Sequence, residues 1–162
     1  MLFPLLITIH VIGVVLWIGG VAFVTLIVFP LITKMEGSLE QVLFFQRVEH
    51  RFAKIAKLCV LIVGLTGAWL LYLTGQWRQL FTLQGIGPTA MLLVWGFYVL
   101  VLLFESRLFQ LIFSKQGQQD TKKIFHKLNI FHWVVLILSL LAIGIGIWTG
   151  HGGPISLLNT KI

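Results

Sequence analysis

Four stretches of this chain contain no aspartate, glutamate, lysine or arginine: Leu2 to Thr33, Leu58 to Trp77, Gln79 to Phe104 and Leu128 to Thr160. A helix needs about 20 consecutive apolar residues to cross a hydrocarbon core, and each stretch reaches that length. Composition agrees: 58% hydrophobic residues, 10% charged residues and a mean hydropathy of +0.99 fall well outside the range of soluble domains. The sequence therefore predicts an all-α integral membrane protein, an antiparallel four-transmembrane-helix bundle. Helices are expected over residues 4–32, 42–75, 87–114 and 119–149, making one domain over residues 1–162. Pro30 and Met35-Glu36-Gly37-Ser38 mark the first turn, Gly85-Ile86-Gly87-Pro88 opens the third helix, and Gln116-Gly117-Gln118-Gln119 forms the third connection.

The cations give an expected orientation. Lys34, Arg47, Arg51, Lys54, Lys57, Arg107, Lys115, Lys122, Lys123 and Lys127 fall on one side of the bundle, and only Arg78 and Lys161 on the other. Lysine and arginine are retained in the cytoplasm during insertion, so both termini are expected outside, as in a bacterial inner-membrane protein. This distribution also accounts for the formal net charge of +7 without nucleic acid, because cations beside a bilayer meet anionic lipid headgroups. The N-terminal run has no basic leader and no small-residue cleavage site, so it is expected to remain as the first helix. The single Cys59 lies inside the second helix and can form no intramolecular disulfide.

Against this background stand five histidines, His10, His50, His126, His132 and His151, each near the end of an expected span. The third span has none. Imidazole is costly to desolvate, and ionisable groups at membrane depth mark functional sites by default. In the first helix His10, Gly13, Trp17 and Gly20 recur at helical spacing on one face. The two glycines admit either a flat macrocycle or a neighbouring helix close to the backbone.

The pattern His10-x6-Trp17-x-Gly19-Gly20, followed by Arg51-Phe52 and by Leu65-Thr66-Gly67-Ala68-Trp69, resembles relatives of copper-resistance protein D and the HemJ-type protoporphyrinogen oxidases over about the first 75 residues. That resemblance implies a small helical membrane protein with redox or metal chemistry, haem b as cofactor, and His10 and Trp17 in the positions of the family's first-helix histidine and tryptophan. In the third helix, where the HemJ type has a lysine, this chain has Met91-Leu-Leu-Val-Trp95. Its Asn129-Ile130 replaces that family's Asn-Glu element in helix 4.

Further histidines extend the haem reading. His50, Lys54, Lys57, Leu61, Gly64 and Ala68 share a stripe of the second helix. There His50 is a candidate axial ligand, with Arg51, Lys54 or Lys57 beside anionic propionates; an interfacial histidine among snorkelling lysines is the competing reading. In the fourth segment His126 and His151 return to nearly one face, whereas His132 is rotated roughly 120° from His126. An antiparallel bundle would set His10 with His151 at the outer level and His50 with His126, or His132 as a substitute, at the inner level. That layout resembles the b561-type two-haem membrane cytochromes in placing ligands on helices 1, 2 and 4.

The expected function is a haem b protein with one or two haems. Its histidine axial ligands would come from His10, His50, His126 and His151, and it would exchange electrons with quinone or a redox protein. It would act as a homo-oligomer or as a subunit of a larger complex. Porphyrinogen oxidation is the alternative, and copper transport or a structural subunit role the second. Histidine binds copper well, but Met35, Met91 and Cys59 are the only soft ligands beyond Met1. Glu105 is expected to form a salt bridge at the cytoplasmic helix end rather than relay protons.

Overall fold

The computed structural model of the chain describes the backbone of residues 2–114 and 121–150, and the side chains of residues 2–37, 39–104 and 123–150. Four helices long and apolar enough to cross a membrane account for most of it. Helix α1 (Leu2–Thr33) is continuous but contains one π turn, Val24–Val28. Helix α2 is Ser38–Leu73, α3 is Ile86–Ser114 and α4 is Thr121–Gly150. These bounds agree with the expected spans to within a few residues. His151 and the Gln116–Gln119 connection lie outside the described residues, as do the side chains of Glu105, Arg107, Lys115 and Lys122.

Helices α1 and α2 form one antiparallel pair. Going down α1, Gly13 meets Val63, Gly20 meets Phe52 and Phe29 meets Phe45, so α2 is read in reverse. The pair comes close because two glycines leave notches that neighbouring side chains fill. A Cβ at Gly13 would stand 2.9 Å from Val63 Cγ2, and one at Gly20 would collide with the Phe52 ring. Such small-residue contacts bring membrane helices within van der Waals range, where burial from water contributes little.

Helices α3 and α4 form the second antiparallel pair. Gly87 abuts Thr149, Met91 fills the notch at Gly146, and the Tyr98 hydroxyl lies 3.2 Å from Ser139 Oγ. The pairs are stitched together by tryptophans. Trp95 lies over Gly64 and donates its Nε1–H to the Val60 carbonyl at 2.9 Å, and Trp17 meets Tyr98 edge to face at 4.4 Å. The central core gathers Trp17, Val21, Ala56, Cys59, Val63, Tyr98 and Val135. A second core, at the end where α2 begins, is built on Val24, Val28, Phe29, Ile32, Phe45 and Phe125.

The connections satisfy the backbone groups that helix ends leave open. Gln41 is buried and donates through Nε2 to the carbonyls of Ile32 (3.1 Å) and Met35 (2.7 Å), closing the C-terminal end of α1. At the opposite end Phe81, in the left-handed region at φ 63°, donates its N–H to Thr89 Oγ1 at 2.9 Å. The outward faces carry leucine, isoleucine, phenylalanine and tryptophan at high exposure, the surface a hydrocarbon solvent requires.

Candidate functional site

Polar side chains are scarce inside this bundle, which makes the few present informative. His10 is half-buried in the outer half of α1, taking outer as the end where α1 begins. Its Nδ1 lies 2.9 Å from Thr66 Oγ1 on α2. Thr66 is itself buried and donates to the Ile62 carbonyl at 2.7 Å, with the Val63 carbonyl at 3.3 Å. Gly67 supplies the space for the ring, since a Cβ there would stand 3.1 Å from His10 Cε1. The Leu65-Thr66-Gly67 segment therefore has a physical role: one residue bonds the imidazole and the next makes room for it.

Trp17 lies on the same face of α1, deeper in the bundle. Its Nε1 is buried with no hydrogen-bond partner among the described residues. Tyr98 and Ser139 continue this level into the second helix pair, where Ser139 Oγ donates to the Val135 carbonyl at 2.7 Å. An apolar cleft of about 270 Å³ opens beside Tyr98 between α3 and α4, lined by Leu93, Val94, Phe97, Tyr98, Val135 and Leu138.

The second interior histidine is His132, in the inner half. Its Nδ1 bonds the Leu128 carbonyl one turn back at 2.9 Å. Its ring packs against Phe29 at 4.9 Å and Phe131 at 5.8 Å. Phe29 follows His10 by 19 residues in α1, or ~28 Å at the helical rise, so the two imidazoles belong to opposite halves of the bundle. Asn129, one turn before His132, has a buried Oδ1 with no partner among the described residues.

The remaining expected site residues take other places. His50, Arg51 and Lys54 are exposed on the outside of α2, as are Lys57, Leu61 and Ala68, so of the shared stripe only Gly64, beneath Trp95, meets the bundle. His126 is exposed on α4. Arg51 precedes Thr66 by 15 residues, ~22 Å along α2, and so stands far from the level of His10, beside the Phe52 that packs on Gly20. The notches at Gly13 and Gly20 are taken by Val63 and Phe52, and that at Gly64 by Trp95.

No hydrogen bond or ring contact among the described residues joins two histidines, and no cluster of three or more His, Cys, Asp or Glu forms there. Sequence reasoning overlooked Thr66, Tyr98, Ser139 and Asn129 as participants. The available signal was the presence of a hydroxyl or amide inside an otherwise apolar helix. No known family, curated protein or solved structure matches the chain.

Proposed function

We propose that this chain is a membrane b-type haem protein with His10 as an axial ligand, and that it passes electrons along or across the bilayer to quinone or a redox partner. The observation that carries this reading is the setting of His10: a half-buried imidazole on an interior helix face, bonded through Nδ1 to Thr66 and lodged over Gly67. An ionisable ring at that depth is expensive unless it has a task. The donor chemistry fits haem iron, because metal-ligating histidines characteristically engage a hydrogen bond through one ring nitrogen and offer the other. When bound, haem supplies one-electron chemistry at a potential set by its axial ligand and by burial.

The protein's own groups would then divide the work. His10 holds the iron, Thr66 and Gly67 orient the ring, and the apolar walls of α1 and α2 keep water away. Arg51 and Lys54 face the inner interface, where their charges suit anionic lipid headgroups. The bias of lysine and arginine supports both termini facing the outside of a bacterial inner membrane. His132 supports a second site at the other level, so one or two haems per chain are expected.

Absorption spectra of the detergent-purified protein, oxidised and dithionite-reduced, combined with a pyridine haemochrome assay, test the proposal. A sharp reduced α-band with one or two haems per chain is the expected result, and His10→Ala should lose the haem of the outer site. A colourless protein from haem-replete cells would sink the haem reading and leave copper binding or a structural subunit role.

A further inference from the structure

Both interior histidines are anchored through Nδ1, but the two acceptors differ in kind. At His132 the acceptor is a backbone carbonyl. A carbonyl has no proton to give, so Nδ1 must carry the hydrogen. At His10 the partner is a hydroxyl, which can donate or accept. Thr66 has one hydroxyl hydrogen, and the Ile62 carbonyl takes it at 2.7 Å. Its oxygen is then left only with lone pairs for His10.

We infer that Thr66 acts as a tautomer lock: it holds His10 with the proton on Nδ1 and so presents Nε2, as the lone-pair nitrogen, to whatever the ring binds. Thr66 is thus a positioning residue, acting through His10 and through the Ile62 carbonyl that fixes its own hydroxyl. Gly67 completes the device, because any side chain there would push against Cε1, the carbon between the two ring nitrogens. Hydrogen bonds of this kind orient a ligating ring, fix its tautomer and raise its basicity. The lock rests on the geometry of the Thr66 hydroxyl, with the Val63 carbonyl as a further acceptor beside the ring. The naming of haem as the Nε2 ligand rests on the proposed function.

Its test separates the two ideas. Protein with ¹⁵N-labelled histidine is prepared from haem-deficient cells and placed in nanodiscs. Long-range ¹⁵N–¹H correlations under alkaline conditions, where the rings are neutral, then report which ring nitrogen is protonated, and His10→Gln identifies the His10 signals. The expected result is Nδ1–H at both His10 and His132. Thr66→Val, nearly the same shape without the oxygen, moves His10 toward the Nε2–H form and leaves His132 unchanged, while Thr66→Ser restores the wild-type pattern. A wild-type His10 protonated on Nε2, or a Thr66→Val spectrum identical to wild type, overturns the lock.

Haemin titration of the same samples supplies the second readout. Thr66→Val should bind about 10-fold more weakly and Thr66→Ser should recover. Equal haemin affinity in wild type and Thr66→Val overturns the positioning role. Failure of the wild type to bind haemin removes the haem reading but leaves the tautomer result standing.

Discussion

The outer and inner halves of this bundle each bury one histidine and build around it in opposite ways. His10 reaches across to a hydroxyl on the neighbouring helix and sits over a glycine, so its orientation depends on how α1 and α2 are paired. His132 bonds a carbonyl of its own helix and is enclosed by Phe29 and Phe131, with Phe45 and Phe125 beyond. Its orientation is set locally and its surroundings are aromatic. An imidazole held between helices is suited to present a nitrogen to a ligand, whereas one wrapped in rings also serves as a packing element.

The largest test of this contrast is removal of each ring. His10→Ala is expected to weaken haem binding at the outer site at least about 10-fold, a loss of the size seen when ligand shells are disturbed, measured by haemin titration. His132→Phe should retain the outer haem, because it keeps an aromatic ring in the inner packing. If His132→Phe weakens the outer haem as much as His10→Ala does, the functional asymmetry between the halves disappears.

Next in size is Phe29→Ala. Phe29 is about 1% exposed and touches both Phe45 and His132, so truncation leaves a cavity expected to cost about 3 kcal/mol. Reversible unfolding in mixed detergent–lipid micelles measures this, and a change below about 1 kcal/mol would show that the inner aromatic cluster collapses around the loss.

Between the halves lie two interhelical hydrogen bonds, one joining the helix pairs and one inside the second pair. Trp95→Phe removes the Nε1–H bond to the Val60 carbonyl and is expected to cost about 1 kcal/mol by the same unfolding measurement. Tyr98→Phe removes the Ser139 contact, and membrane interhelical bonds average about 0.6 kcal/mol. The ordering sharpens the comparison: a Tyr98 effect larger than that of Trp95 would put the main clamp between α3 and α4 rather than between the two hairpins.

The four helices were legible because length and hydropathy dictate them, and their ends followed from Pro30, Gly37, Gly85 and the basic residues. The π turn was not legible, since Val24-Thr25-Leu26-Ile27-Val28 has the same apolar character as the turns around it. The face His10-Gly13-Trp17-Gly20 could be read from spacing, but not that Val63 and Phe52 would fill its glycine notches, which depends on the register between helices. The rotation of His132 away from His126 was also readable. Which of the two points inward was not, because α4 is apolar nearly all round. In α2 the basic stripe drew attention to His50, yet the small residues Ala53, Ala56 and Cys59 select the buried face, since they permit the closest helix approach.

The π turn in α1 has a genetic consequence. A turn closed by i to i+5 bonds holds one residue more than an α turn, equivalent to about 100° of helical rotation. It therefore sets the angular offset between the His10 face above it and the Phe29–Ile32 face below. Loss of a single codon within Val24–Val28 is then the one length change α1 can absorb locally: the π turn becomes an ordinary turn, and both faces keep their partners. The same deletion placed around Val14 or Leu16 would rotate His10 away from Thr66, so this helix should tolerate length variation at one address and resist it elsewhere.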